Sequence, residues 1–143
     1  MSGNSNPKAI PMLEKNLDNL RGFAMRCWNG FNEVNWTYLS YNPNAIPILE
    51  KNLDKVHWGW LSTNENAIHI LEKNLDKVDW SWLSLNPNAI HILEKNLDKV
   101  DWLHLSVNTN ANAIWEKNLD KVHWGLLSMN QTSIHILEQS LVK

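Results

Sequence analysis

The chain has 143 residues, 43 % of them hydrophobic and 20 % charged, with a formal net charge of −2. That is enough for one domain with a real core, and the short-range alternation of acid and base excludes a broad phosphate-binding face, which needs clustered Lys and Arg. A lone cysteine, Cys27, excludes an internal disulfide framework and fits a reducing compartment; no apolar run approaches the ~18 residues of a membrane span, and the polar N-terminus lacks a signal-peptide core, so the expectation is an intracellular, non-secreted protein.

Taken in order, residues 1–5 read as a disordered lead and 6–19 as a first half repeat. An insertion occupies 20–33, so that Glu14 and Glu50 lie 36 residues apart, one period of 22 plus 14. Repeats then fill 34–129, with Asn at 42, 64, 86, 108 and 130, Trp at 36, 58, 80, 102 and 124, and Leu-Ser three residues after each Trp. A C-terminal half repeat fills 130–143. The whole reads as a single repeat domain.

Within the unit, Ala89, Ile90, Leu93 and Leu97 form a helix stripe. Pro11 and Pro47 are tolerated only in a first turn, which predicts N-caps at Asn44, Asn66, Asn88, Asn110 and Thr132. The helix is expected to stop near Lys95, with Asn96 in the left-handed conformation. Asp98 and its equivalents Asp54, Asp76 and Asp120 are expected to cap a second helix that runs past Trp102 to Ser106. Two helices of about two turns each cannot persist alone and must stack on their neighbours. The fold class is therefore all-α, a solenoid of short two-helix 22-residue repeats. A strand–helix, leucine-rich-like solenoid is the alternative, because Val78 to Trp82 alternates apolar and polar, and Gly59 and Gly125 weaken helix propensity.

The phrase Asn-Pro-Asn-Ala-Ile-x-Ile-Leu-Glu-Lys-Asn-Leu-Asp-Lys-Val-x-Trp-x-Trp-Leu-Ser resembles a Trp-containing tandem repeat of giant DNA viruses. The resemblance covers residues 6–19 and 34–141 but not the insertion. It implies a viral origin, a place in the host cytoplasm or virion, and an interaction role. It carries no catalytic motif.

Most fixed letters have a structural explanation. The Trp column reads as core anchors rather than a stacking ladder for bases or sugars. The asparagines read as caps, and the Glu-Lys and Asp-Lys pairs as a self-neutralised surface. Successive members of the His69, His91 and His135 column, or of the His57 and His123 column, are too far apart to share one zinc ion. No catalytic residue, metal or cofactor is expected, and Cys27 lacks a base partner. Two places break the pattern. In the insertion, Phe23, Met25, Trp28 and Phe31 form an apolar cluster that either caps the open end of the repeats or contacts a protein. In the unit around 101–117, His104 stands for Trp or Tyr, Asn112 for Ile, and Trp115 for Leu. These three either compensate one another, with Trp115 filling space vacated at His104, or line a pocket. Ile136 and Leu141 of the terminal half unit are further candidate contacts, which points to a homodimer through a solenoid end. The expected function is a non-enzymatic protein-interaction or structural scaffold, virion-associated if viral. The alternative is a repeat-based reader of single-stranded nucleic acid or a small ligand, which the weakly acidic balance disfavours.

Overall fold

The computed structural model describes residues 34–142. The first half repeat, the insertion with Phe23, Met25, Cys27, Trp28 and Phe31, and the question of what caps the N-terminal end lie outside the described residues. Among the described residues 56 % are helical and there is no strand, so the strand–helix alternative does not form there.

The helices come in pairs. In chain order they are α1 (Trp36–Tyr41) and α2 (Ile46–Glu50), α3 (Trp58–Thr63) and α4 (Ile68–Glu72), α5 (Trp80–Leu85) and α6 (Ile90–Glu94). The last two pairs are α7 (Trp102–Leu105) and α8 (Asn112–Lys117), then α9 (Trp124–Leu127) and α10 (Ile134–Leu141). Most are four to six residues, closer to one turn than to the expected two. Helices so short depend on capping and on their neighbours. The odd-numbered helices pack in succession, α1 on α3, α3 on α5 and α5 on α7.

The caps differ from the expected ones. Each Trp helix is capped by the residue immediately before the Trp, not by Asp54, Asp76, Asp98 or Asp120. The acceptor is Asn35 Oδ1, Asp79 Oδ1 or Asp101 Oδ1, and in two repeats the ring nitrogen of His57 or His123. The even-numbered helices start after Ala45, Ala67, Ala89, Ala111 and Ser133, none of which caps with its side chain. The turn ahead of them is closed one step earlier. Asn42, Asn64, Asn86, Asn108 and Asn130 each accept, through Oδ1, the N–H two residues on. At the other end Asn52, Asn74, Asn96 and Asn118 donate Nδ2 to the carbonyl four residues back, at 2.8–2.9 Å. Asn118 does this with φ −139°, outside the left-handed region.

Two buried polar columns join the repeats. Ser40, Ser62, Ser84 and Ser106 donate Oγ to the carbonyl of their own Trp at 2.6–2.7 Å. Each also accepts the cap residue's N–H from the next repeat at 2.9–3.1 Å. Asn64, Asn86 and Asn108 each donate Nδ2 to two carbonyls of the preceding repeat, those of its Ser and Asn, at 2.9–3.2 Å. Asn130 makes the same pair at a looser 3.4 Å. Around these columns the core is Ile48, Ile70, Ile92, Ile114 and Ile136 with Leu61, Leu83, Leu105 and Leu127.

Candidate functional site

With the amide column satisfied from Asn64 onward, the outward side chains divide into two sets. On the even-numbered helices, His69, His91 and His135 bring Nε2 to 2.5, 2.6 and 2.8 Å from Glu50, Glu72 and Glu116 of the preceding repeat. The Glu column expected to pair with its neighbouring Lys therefore reaches across repeats to histidine. The pairs are about half exposed, so each contributes little to stability.

The odd-numbered helices carry the second set. Their first Trp is not deep core: Trp36, Trp58, Trp80 and Trp102 are half-buried, packed against the core on one side. Lys55, Lys77, Lys99 and Lys121 place Nζ 5.1–5.3 Å from the respective ring centroids. This is cation–π distance, and it closes these rings to a flat ligand. The position two residues on is different. Trp60 and Trp82 are 39 % and 42 % exposed, and Tyr38 and Tyr41 are 46 % and 48 % exposed. Tyr41 meets Trp60 edge-on at 5.6 Å, Trp60 stacks on Trp82 at 5.8 Å, and Trp82 tilts against His104 at 6.3 Å. Four rings from four successive repeats thus form one continuous surface stripe. Because Trp60 and Trp82 lie only 23° from parallel, they cover each other's faces and leave edges to solvent.

Two of the capping residues beside the stripe are acidic. No Lys or Arg occurs within any of the five Trp helices. Asp79 and Asp101 cap α5 and α7 next to it. Burial pushes the Asp101 carboxyl up, but the His104 imidazole beside it, the His104 backbone N–H and the Ser81 hydroxyl outweigh that and hold it below the ordinary range. His104 Nδ1 lies 2.8 Å from Asp101 Oδ2, and Ser81 Oγ donates to the same oxygen at 2.9 Å across the repeat boundary.

The sequence-singled residues fall in different places. His104 belongs to the stripe. Trp115 is completely buried and donates its indole N–H to the Leu105 carbonyl at 3.1 Å. Asn112 is half-buried and receives a 3.3 Å bond from Thr132 Oγ1. These three do not line one hollow: one ring turns inward and the other outward. Ile136 is buried, whereas Leu141 is 84 % exposed. Among the described residues no cluster of His, Cys, Asp or Glu could hold a metal ion, and no helix is long and apolar enough to cross a membrane.

Sequence reasoning did not find the stripe. Its signal was present: in Trp58-Gly59-Trp60 and Trp80-Ser81-Trp82 two tryptophans two residues apart cannot share one face of a helix. No protein-family model matches the chain, and neither the curated proteins nor the solved structures contain a significant match to it.

Proposed function

We propose that the protein is a helical solenoid scaffold without enzymatic activity, and that it docks a protein partner on the stripe formed by Tyr41, Trp60, Trp82 and His104. One observation carries this reading: three exposed rings and the half-buried His104 pack in a row along successive repeats although an apolar core is available beneath them. Exposed, pre-ordered Trp and Tyr are the residues that anchor protein interfaces. The solenoid is supported by the regular hydrogen bonding of each repeat to the next. The resemblance of its repeat phrase to those of giant DNA viruses supports a role in an infected cell or virion.

The single-stranded nucleic-acid reading is weaker on two counts. Bases stack on open ring faces, and here the faces of Trp60 and Trp82 are turned to each other. A polyanion also needs free cations alongside; the nearest, Lys55, Lys77, Lys99 and Lys121, are engaged over the first Trp of each helix, and Asp79 and Asp101 flank the stripe. An apolar or basic protein surface suits the stripe instead.

The test is reconstitution with a purified partner obtained by affinity capture from the native cell or virion. Trp60→Ala/Trp82→Ala is expected to weaken binding by at least about 30-fold, the effect of losing a central aromatic anchor. Glu72→Gln, on the other helix set, is expected to leave binding unchanged. Equal binding by the double variant would overturn the assignment, and tight, salt-sensitive binding of single-stranded oligonucleotides would replace it with the nucleic-acid reading.

A further inference from the structure

Of the five described members of the Glu column, Glu50, Glu72, Glu94, Glu116 and Glu138, three meet a histidine 19 residues on: Glu50 with His69, Glu72 with His91, and Glu116 with His135. The residue that would face Glu94 in this way is Ala113. A hollow of about 260 Å³ opens at that point, lined by Glu94, Leu97, Ala113, Ile114, Lys117 and Asn118. A break in the sequence column and a depression in the surface therefore coincide at one place. The hollow belongs to α6 and α8, not to the Trp helices that carry the aromatic stripe.

The chemistry of the lining is that of the neighbouring filled positions. Leu97 is half-buried and Ile114 buried, so the floor is apolar; Glu94 is exposed and makes the anionic rim. Lys117 is the other charged group, but it stands in a Lys column shared with Lys51, Lys73 and Lys95 and is not peculiar to this site. The volume falls short of a pocket for a drug-sized ligand, which starts near ~300 Å³, and suits a single side chain. A flat ring directing an N–H at Glu94 would reproduce what His91 does at Glu72, where Nε2 stands 2.6 Å from the carboxylate.

We propose that this hollow is a binding site for an imidazole ring, supplied in trans by a histidine side chain of a protein partner. Glu94 accepts the ring N–H, and Leu97 and Ile114 support the ring's apolar face. The partner inserts the tooth that the repeat ladder lacks at Ala113. This inference is independent of the stripe, and its probe is imidazole itself, so its failure leaves the stripe untouched.

The experiment is an NMR titration of the full chain with imidazole, run in parallel on Ala113→His and Glu94→Gln, with methylammonium as a cation that has no ring. Imidazole is expected to shift the amides of Ala113 and Ile114 saturably in the original chain. Ala113→His is expected to abolish those shifts, because its own ring then fills the hollow. Glu94→Gln is expected to weaken them about two- to fivefold, the fold-change of an exposed ion pair. Both substitutions are at exposed positions, and thermal melts confirm that the variants fold. Unchanged imidazole shifts in Ala113→His would overturn the proposal. So would equal shifts with methylammonium, which would leave only a generic carboxylate–cation attraction.

Discussion

The repeats carry two kinds of ladder, one buried and one exposed, and these differ in how much variation they admit. Inside, the Asn column is Asn at all five described positions and the Ser column is Ser at its four buried positions, with the exposed Ser128 as a fifth. Outside, the column that supplies Trp60, Trp82 and His104 to the stripe has Tyr38 and Leu126 at its ends, and the histidine column is interrupted by Pro47 and Ala113. The physical difference is what substitution leaves behind. Removing a buried amide strands backbone groups that water cannot reach, whereas an exposed ring can be exchanged at the cost of its packing alone. The buried ladder fixes the register of one repeat on the next, and the exposed ladder is free to differ between repeats.

That comparison breaks most sharply at Asn86. Its Nδ2 donates to the carbonyls of Ser62 and Asn64, and its Oδ1 accepts the N–H of Asn88. Asn86→Ala leaves these groups without that partner inside the protein and is expected to cost about 2–4 kcal/mol. Trp82→Ala removes a far larger side chain, yet one that is 42 % exposed, and is expected to cost only about 1 kcal/mol. Chemical denaturation of both variants decides the matter. If Trp82→Ala proved the more damaging, the stripe would be a structural element and its case as a docking surface would fall.

A second test sharpens the picture on the exposed side. Where the cap is histidine, the residue two positions on is glycine: His57 with Gly59, and His123 with Gly125. A Cβ at Gly59 would lie 3.1 Å from His57 Cε1, and one at Gly125 would lie 3.2 Å from His123 Cε1. The imidazole fills the space in which the other repeats place Thr37, Ser81 or Leu103. Gly59→Ala alone is expected to be close to neutral, the ~1 kcal/mol gain in helix propensity being offset by displacement of the capping ring. In a His57→Asp background the same change is expected to show the gain of about 1 kcal/mol. A double-mutant cycle with no coupling between the two positions would show that the ring and the glycine do not share that space.

How much of this could be read beforehand follows from which forces act within a repeat and which act between repeats. The helical class and the tandem order were legible, because the 22-residue period and the spacing of Ala89, Ile90 and Leu93 are local patterns. The capping assignments slipped by one to three residues. Asn44 and Asp98 are capping types beside better-placed competitors, and sequence does not say whether Asn42 or Asn44 closes the turn. The role of the Ser column was not legible, because its hydroxyl bridges the Trp carbonyl and the next repeat's N–H. That bridge depends on stacking geometry absent from any single unit. The His–Glu ladder was missed for the same reason, since His91 and Glu72 are 19 residues apart and meet only across a repeat boundary. Of the edited unit, Trp115 went to the core and His104 to the stripe, a separation that depends on which way each helix face turns.

The smallest expected effect is a pH dependence, and it separates the Asp caps from the histidine caps. The Asp101 carboxyl sits below its ordinary value of 3.8 in the folded chain, because the hydrogen bonds from His104 and Ser81 outweigh the effect of burial. A folded value below the unfolded one means that the folded chain holds the proton less tightly. The stabilisation is then complete above the unfolded value and drains away as pH falls through the folded one, a window below about pH 4. Partial exposure of the side chain keeps the amount small. Asp101→Asn keeps an oxygen that can cap His104 N–H but does not titrate. It is expected to remove this part of the acid sensitivity in urea unfolding followed between pH 2 and 6, leaving the remainder of the profile in place. His104→Ala removes the imidazole but keeps the backbone N–H and Ser81, so it is expected to reduce the acid sensitivity in the same window without abolishing it. If His104→Ala left the acid profile unchanged, the imidazole would have no part in holding the carboxyl down, and the backbone N–H and Ser81 alone would set the titration of this cap.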